Sequence, residues 1–334
     1  MKPLFKKSQT IRFNVAIFSL FFVLSNPIAL AKSKMKTVLV VRSEEKEFTT
    51  MYESISKDLK KKYQIEEFIF NKETKYSDFA QKMKSENPNF LLLMDNKSVN
   101  FGMEWNKSVK NKTSGLAMMG LNLQSILKNN EYFSGIAFEL PVFALVTQFK
   151  YIIDTPVKNM LVFYRKSLFQ EIVDQANTHL RGENITLNAV DVEVNGKSKE
   201  KIIEFMKTKA ESLLQEGKVD VIWCMLDSFL LSKNIFIEFW QPLAKKINIP
   251  IISGIEQLVD PKMNFATFSI SPDKQDLVGQ AVQVIERILE ENESPKEIGV
   301  QQIHSVESIL NQGKAQELKL KIRKDRLSEV TLLE

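Results

Sequence analysis

Residues 89–96 read Asn-Phe-Leu-Leu-Leu-Met-Asp-Asn, and this stretch indicates the fold class. Every residue from Phe90 to Met94 is apolar. A strand with one solvent-exposed face would instead alternate apolar and polar residues. An uninterrupted apolar strand is typical of a parallel sheet that helices cover on both faces. The stretch therefore predicts an α/β protein in which Asp95 and Asn96 follow the carboxyl end of a buried strand.

Strand patterns alternate with longer helical patterns along most of the remaining chain. The first set has predicted strands over residues 37–42, 65–70, 90–94, 115–119 and 135–138, with helices over 49–62 and 77–85. The second set has strands over 160–164, 185–194, 219–225 and 249–253, with helices over 168–180, 199–215 and 229–247. Strands that alternate with helices predict parallel pairing in both sets.

The length and the connections predict two lobes. A chain of 334 residues is longer than one compact core usually holds. The short segment Glu139-Leu140-Pro141 joins the two sets, and residues 267–273 lead into a helix over about 274–290 that crosses back. We expect two doubly wound parallel-sheet lobes joined by a multi-crossing hinge. The N-terminal lobe is expected to cover residues 36–140 plus 271–298, and the C-terminal lobe residues 141–270 plus 299–330.

Residues 1–31 have the three parts of a secretory signal peptide. Basic residues without acidic ones precede an apolar run from Phe13 to Leu24, and Ala29-Leu30-Ala31 forms a small-x-small cleavage site before Lys32. The alternative is a membrane anchor, but the run is shorter than the roughly 20 apolar residues that a spanning helix needs. We therefore expect a cleaved leader and a soluble, periplasmic, monomeric mature protein.

The charge of the chain argues against a nucleic-acid partner. The formal net charge of +5 includes four basic residues of the leader, so +1 remains after cleavage. A protein that neutralises many phosphates needs a basic surface, and no such excess is present.

The residue types that carry most catalysis are scarce. Cys224 is the only cysteine and lies in an apolar strand pattern, while His179 and His304 are the only histidines. The sequence contains no Gly-rich phosphate loop, His-Glu-x-x-His, Gly-x-Ser-x-Gly or Cys-x-x-Cys motif. We expect a protein that is not an enzyme, with no catalytic residue, no metal site and no cofactor.

Candidate ligand contacts follow from the strand positions. Ligands of open parallel sheets bind outside the carboxyl ends of the strands, and two facing lobes would bring those ends to a shared cleft. The candidates are the polar side chains after the predicted strands and the residues at the first crossing: Ser43, Asp95, Asn96, Asn122, Phe138, Glu139, Arg165, Ser167, Asp227, Ser228 and Glu256. For any one of them, capping of the following helix is an equally good interpretation, because capping uses the same loop position.

Several of these residues suggest specific roles. Ser43 or Ser167 could hold a ligand carboxylate at a helix N-terminus, and Phe138 could stack on an apolar portion of the ligand. Arg165 could clamp a ligand carboxylate, because its planar fork pairs bidentately, although a solvated surface arginine is equally expected there. Asp227 or Glu256 could balance a ligand ammonium group or bind hydroxyl groups.

Several segments resemble one known family. Residues 266–273 read Ala-Thr-Phe-Ser-Ile-Ser-Pro-Asp and are followed by Leu-Val-Gly-Gln-Ala at 277–281. Three further segments are residues 129–136, residues 219–223 with Asp227, and residues 249–254. In their order and spacing along the chain, the four segments together resemble the type 1 periplasmic-binding-protein superfamily. The closer resemblance is to the ABC-transporter substrate-binding family whose better-known members bind aromatic amino acids, and it covers Lys36 to about Ile322.

The resemblance implies the fold, export and solute binding, but not the ligand. Two of the family's ligand-facing loops differ here: Phe-Ser-Gly at 133–135 replaces Val-Thr-Gly, and Gly-Ile-Glu-Gln at 254–257 replaces a glycine-rich loop. We expect a protein that captures a small polar or amino-acid-like ligand in an interlobe cleft for an ABC importer, with its permease as partner. The alternative is a ligand sensor that docks on a receptor or kinase ectodomain.

Overall fold

The computed structural model describes residues 35–193 and 195–334. The predicted signal peptide, residues 1–31, lies outside the described residues. Within the described residues the strands form two separate sheets, one of six strands and one of seven.

The first sheet forms from the first set of predicted strands. Its elements in chain order are β1 (Thr37–Ser43), α1 (Lys46–Leu59), β2 (Gln64–Phe70), α2 (Tyr76–Glu86), β3 (Phe90–Met94), α3 (Asn96–Ser108), β4 (Ser114–Met118), α4 (Leu123–Ile126) and β5 (Phe133–Ile136).

The second sheet forms from the second set. Its elements are α5 (Val142–Ile152), β6 (Asn159–Tyr164), α6 (Lys166–Gly182), β7 (Thr186–Asp191), α7 (Lys199–Gln215), β8 (Val221–Cys224), α8 (Lys233–Ile235), a π-helical turn (Phe236–Trp240), α9 (Gln241–Lys246), β9 (Ile251–Ser253), a 3-10 turn (Glu256–Val259) and β10 (Phe268–Pro272).

The C-terminal part of the chain contributes to both sheets. Its elements are α10 (Lys274–Leu289), α11 (Pro295–Ile298), β11 (Val300–Gln301), β12 (Val306–Asn311), α12 (Gln312–Glu317), a 3-10 turn (Lys324–Glu329) and β13 (Thr331–Leu333).

The strand orders confirm the doubly wound class. The first sheet has the order β11-β5-β4-β3-β1-β2 with parallel pairing throughout. The second has the order β13-β12-β10-β9-β8-β6-β7, in which only β12 runs antiparallel to its neighbour β10 among the described pairs. In both sheets the second strand along the chain pairs on one side of the first strand, and the later strands add on the other side.

Helices cover both faces of the first sheet, as the apolar strands predict. Along β1, Val38 and Val40 are buried in one hydrophobic cluster with α1 and α10. Leu39 and Val41, on the opposite face, are buried in another cluster with α2 and α3. Because successive strand residues point to opposite faces, a strand buried on both sides must be apolar at every position.

Three short crossings connect the two sheets. The first joins β5 to α5 through residues 137–141, the second joins β10 to α10 at Asp273, and the third joins β11 to β12 through residues 302–305. Hydrogen bonds tie them together: Asp273 N donates to Ser305 O at 3.1 Å, and Ala137 N donates to Gln301 O at 2.8 Å. The chain therefore has a multi-crossing connection between the lobes, as expected.

One part of the expected lobe division is wrong. Residues 299–330 were expected in the C-terminal lobe, but Val300 and Gln301 pair with Gly135 and Ile136 in the first sheet. This pairing satisfies backbone groups of β5 that would otherwise be exposed at the sheet edge. The third crossing consequently begins after Gln301.

No helix among the described residues has the length and apolar character that a bilayer span requires.

Close packing at Gly115 provides a test of the first sheet. A Cβ atom at this position in β4 would lie 2.6 Å from Leu91 O and 3.0 Å from the Phe133 ring. We expect Gly115→Ala to lower the free energy of unfolding by about 1–3 kcal/mol, measured by urea denaturation, because backbone and a buried ring must shift.

Gly279→Ala is the matched control. Gly279 lies on the exposed side of α10, where an added Cβ has no atom within 4 Å. Alanine there should stabilise the protein by about 0.5–1 kcal/mol through helix propensity. Equal effects of the two substitutions would contradict the packing of β4 against β3 and β5.

Candidate functional site

The carboxyl ends of four adjacent strands form one edge of the first sheet. The strand order places β5, β4, β3 and β1 side by side, so the residues after them line a continuous edge. Neighbouring parallel strands are about 4.8 Å apart, which brings their end residues within reach of one solute. Ser43, Asp95, Asn122 and Glu139 each lie at or just beyond one of these ends.

At the end of β1, Ser43 is buried and its Oγ accepts the N–H of Glu45 at 3.3 Å. The preceding Arg42 is buried as well. Its guanidinium pairs with Glu67 and donates to Thr49 Oγ1 and to Ser43 O, both at 2.9 Å. The charge of Arg42 is therefore compensated within the first lobe. The sequence analysis did not identify this residue, because a charged side chain within a buried strand is not expected.

At the end of β3, Asp95 caps α3 by accepting the backbone N–H of Ser98 at 2.7 Å. Burial raises the pKa of Asp95, and the hydrogen bonds from the helix N-terminus partly oppose that shift. Its backbone has φ 149° and ψ 178°, a conformation that costs a residue with a Cβ on the order of 1–3 kcal/mol. In this structure the Asp95 side chain therefore caps α3, which is one of the two roles that the sequence allows for it.

Asn96 and Glu139 fix the neighbouring loops. The amide of Asn96 donates from Nδ2 to Leu121 O at 2.9 Å and accepts from Leu121 N at 2.6 Å. Asn122, which follows Leu121, has a left-handed backbone conformation with φ 57°. Its N–H donates to Oε1 of Glu139. Burial raises the pKa of Glu139, and the Asn122 hydrogen bond partly opposes the shift. Phe138 beside it packs on the core of the first lobe.

In the second lobe, Arg165 and Asp227 bind each other. Arg165 Nε and Nη2 donate to the two carboxylate oxygens of Asp227, both at 2.8 Å. Asp227 is fully buried and also accepts the N–H groups of Phe229 at 2.9 Å and Leu230 at 3.2 Å. The guanidinium lies 5.3 Å from the centre of the Phe229 ring. In this structure the Arg165 guanidinium balances the charge of the buried Asp227 carboxylate.

The other second-lobe candidates are more exposed. Ser167 lies in the first turn of α6, and Ser228 lies in the turn after β8. Glu256 begins a 3-10 turn and forms an ion pair at 3.2 Å with Lys274, the first residue of α10. Because α10 packs on the first lobe, this pair links the two lobes beside the second crossing.

A cavity of about 660 Å³ lies between the lobes beside the first crossing. The first lobe contributes two predicted residues, Asn122 and Glu139, and the crossing contributes Leu140 to Phe143. Helix α6 of the second lobe contributes Glu171, Ile172, Gln175, Ala176 and His179. The sequence analysis missed the α6 residues, because only the ends of strands were searched and a helix face does not show which neighbour it contacts.

A second cavity of about 510 Å³ lies within the second lobe. It lies between α7 and α9 and reaches Ile249, just before β9. This position is the amino end of the strand, opposite to the edge where polar strand ends converge. We therefore place the candidate solute site in the first cavity.

The described residues provide little for metal or thiol chemistry. Among them no group of three or more histidine, cysteine or acidic side chains could hold a metal ion. Cys224 is fully buried in β8, and burial raises the pKa of its thiol far above the ordinary value. A thiol that stays protonated is a poor nucleophile and a poor metal ligand.

No protein-family model matches the sequence, and no curated protein matches it either. Solved structures do match over most of the chain. The ABC domain in complex with L-Trp from Streptococcus pneumonia is 17% identical with a TM-score of 0.61, and the match covers 90% of this chain and 100% of that chain. A substrate-binding protein with adhesive properties from Clostridium difficile, in its ligand-free, open structure, is 14% identical with a TM-score of 0.69, covering 90% and 99% of the two chains.

The chain has the type 1 periplasmic-binding-protein fold. A conserved domain protein from Vibrio cholerae also matches, at 16% identity and a TM-score of 0.61 over 90% of this chain and 100% of that chain. The likeness concerns the type 1 fold alone, so the ligand contacts of this chain must be inferred from its own residues.

The ion pair between Arg165 and Asp227 should be important for stability. Arg165→Ala would leave a fully buried carboxylate without a counter-charge. We expect a loss of about 2–4 kcal/mol in the free energy of unfolding, measured by urea denaturation.

Arg323→Ala is the control for this pair. Arg323 binds Asp154 at 3.4 Å, with both side chains largely exposed, and removing such a pair should cost less than about 1 kcal/mol. If the two alanine variants lost the same free energy of unfolding, the buried ion pair would contribute no more to stability than the exposed one.

Glu139→Gln should stabilise the ligand-free protein at pH 8 but not at pH 4. The pKa of Glu139 is raised by burial, so its ionisation destabilises the folded state above that pKa and has no effect well below the ordinary value. Glutamine keeps an Oε1 acceptor for Asn122 N. Thermal unfolding at the two pH values tests this.

Glu131→Gln is the control for Glu139→Gln. Lys296 lowers the pKa of the exposed Glu131 carboxylate, so this substitution should cause no gain at pH 8. A gain at both pH values in Glu139→Gln would indicate a cause other than charge burial.

Proposed function

We propose that this protein binds a small polar or amino-acid-like solute between its two lobes and delivers it to the permease of an ABC importer. The observation that carries the proposal is the interlobe cavity, to which both lobes and the first crossing contribute side chains. The type 1 fold supports it, because open parallel sheets bind their ligands at the carboxyl ends of the strands. In this proposal the protein performs no chemistry on the solute.

The connection between the lobes suits a hinge. Three short crossings lie next to one another and are tied by backbone hydrogen bonds, so the lobes can rotate about a common axis while each sheet remains intact. A ligand that contacts both lobes favours the closed form over the open one. The closed form would then be the state that the permease recognises.

The proposed lobes follow the sheet membership. The N-terminal lobe combines residues 36–140 with the α10–β11 segment, and the C-terminal lobe combines residues 141–270 with the segment from β12 onward. We further propose that residues 1–31 are removed on export and that the mature protein acts as a monomer in the periplasm. The composition of those residues supports this, because they combine a basic start, an apolar run and a small-x-small site.

Small-angle scattering tests the hinge proposal. Thermal-shift screening of amino acids and related polar metabolites would first identify a ligand. Addition of that ligand should reduce the radius of gyration of the mature protein, because closure brings the two lobes together. A confirmed ligand that leaves the radius of gyration unchanged would contradict closure.

A further inference from the structure

One carboxylate of the interlobe cavity, that of Glu139, is desolvated and has no basic partner among the described ion pairs, whereas Glu171 is exposed to solvent. Glu139 lines the cavity from the first lobe, and Glu171 lines it from α6 of the second lobe. The hydrogen bond that the described structure gives the Glu139 carboxylate comes from a backbone N–H, and the influences on its pKa include no basic side chain. Burial of an ionised carboxylate without a counter-charge is unfavourable, so a cationic group beside Glu139 would stabilise the ionised form of this side chain.

Three basic groups at or near the strand ends already have acidic partners. Arg42 binds Glu67, Arg165 binds Asp227 through two hydrogen bonds, and Lys274 binds Glu256. The positive charge of each of these three groups is already balanced by an acidic side chain, so a ligand carboxylate would have to share it. For Arg165 the charge balances the fully buried carboxylate of Asp227.

The two lysines of the cavity do not change this balance in its interior. Lys296 forms an ion pair with Glu131 at 2.8 Å, and Lys128 is exposed to solvent, which screens its charge. The other polar side chains of the lining are mainly uncharged amides, among them Asn122, Gln175 and Gln302. Amides can hydrogen-bond a polar ligand without selecting the sign of its charge.

The cavity also has an apolar part. Leu140, Val142 and Ile172 line it together with Phe143, whose ring centre lies 4.9 Å from that of His179. A ligand with an apolar portion next to its charged group would bury that portion here. Aromatic faces additionally attract cations when these lie within about 6 Å of the ring centre.

We propose that the solute bound in this cavity is a cation, an amine or guanidine with an apolar portion, whose positive group pairs with the carboxylate of Glu139. This inference rests on the proposed solute-binding function and names the chemical class of its ligand. A carboxylate on the ligand contributes less to binding than the cationic group, because Glu67 and Asp227 already balance the charges of Arg42 and Arg165. The amides bind the remaining polar atoms.

A matched set of probes built on a four-carbon chain tests the sign of the ligand charge. We would measure binding of 1-butylamine, agmatine, 4-aminobutanoate, butanoate and 1-butanol to the mature protein by thermal shift and calorimetry at millimolar concentration. The two cations should bind, 4-aminobutanoate should bind no better than 1-butylamine, and butanoate should not bind.

Glu139→Gln then tests the counter-ion. This substitution should weaken cation binding by about 10- to 100-fold, which is the usual effect of removing one charged hydrogen-bond partner. The same variant should gain thermal stability at pH 8 without ligand, so a loss of binding cannot be attributed to unfolding. Glu183→Gln is the control, because Glu183 is an exposed carboxylate that pairs with Lys150 and does not line the cavity.

The outcomes separate the two proposals. Cation binding that depends on Glu139 and not on Glu183 supports the inference. Binding of butanoate or butanol alone, or cation binding that Glu139→Gln leaves unchanged, overturns the cationic class while solute binding still stands. Failure of both cations to bind also overturns the inference. In that case, compaction with another solute would retain the proposed function, and the absence of compaction with any confirmed ligand would reject interlobe closure as well.

Discussion

The burial of both faces of each sheet is the constraint on which the rest of the structure depends. Helices cover both faces of β1 and β3, so the side chains of these strands are buried in the core. Polar side chains are therefore found in the loops at the ends of the strands, along the edge that these ends form. The crossings leave from this edge as well. A single packing requirement therefore places the polar loops and the hinge next to each other.

Charge pairing within each lobe decides what this edge can bind. In the second lobe, the bidentate contact between Arg165 and Asp227 balances the charge of the arginine that follows β6. In the first lobe Glu67 balances the charge of Arg42, whereas the carboxylates of Asp95 and Glu139 are desolvated and accept backbone hydrogen bonds. Neither of these two carboxylates has a basic partner among the described ion pairs. Net charge is a property of the whole surface and does not describe a local cleft.

The sequence predicted elements with a clear hydrophobic pattern better than elements whose conformation depends on their surroundings. The strand Phe90–Met94 and the helix Lys199–Gln215 have the predicted bounds, because their hydrophobic patterns are uninterrupted. The predicted helix over 229–247 instead begins at Lys233 and contains a π-helical turn, since Asp227 holds the preceding residues in a turn. The helix Val142–Ile152 was missed, because most of its residues are apolar and pack in the core of the second lobe.

The sequence by itself determined the α/β class, the division into two sheets and the set of polar residues that follow the strands, because these depend on periodicity and on the order of elements along the chain. Only the tertiary structure decided which polar residues remain available to a solute. Capping by Asp95, the pairing of Arg165 and the grouping of Glu139 with α6 all join residues that are distant in sequence or that had two local interpretations. The physical reason is that hydrogen bonds and ion pairs depend on distances between side chains, and these distances are fixed only when the sheets and helices pack.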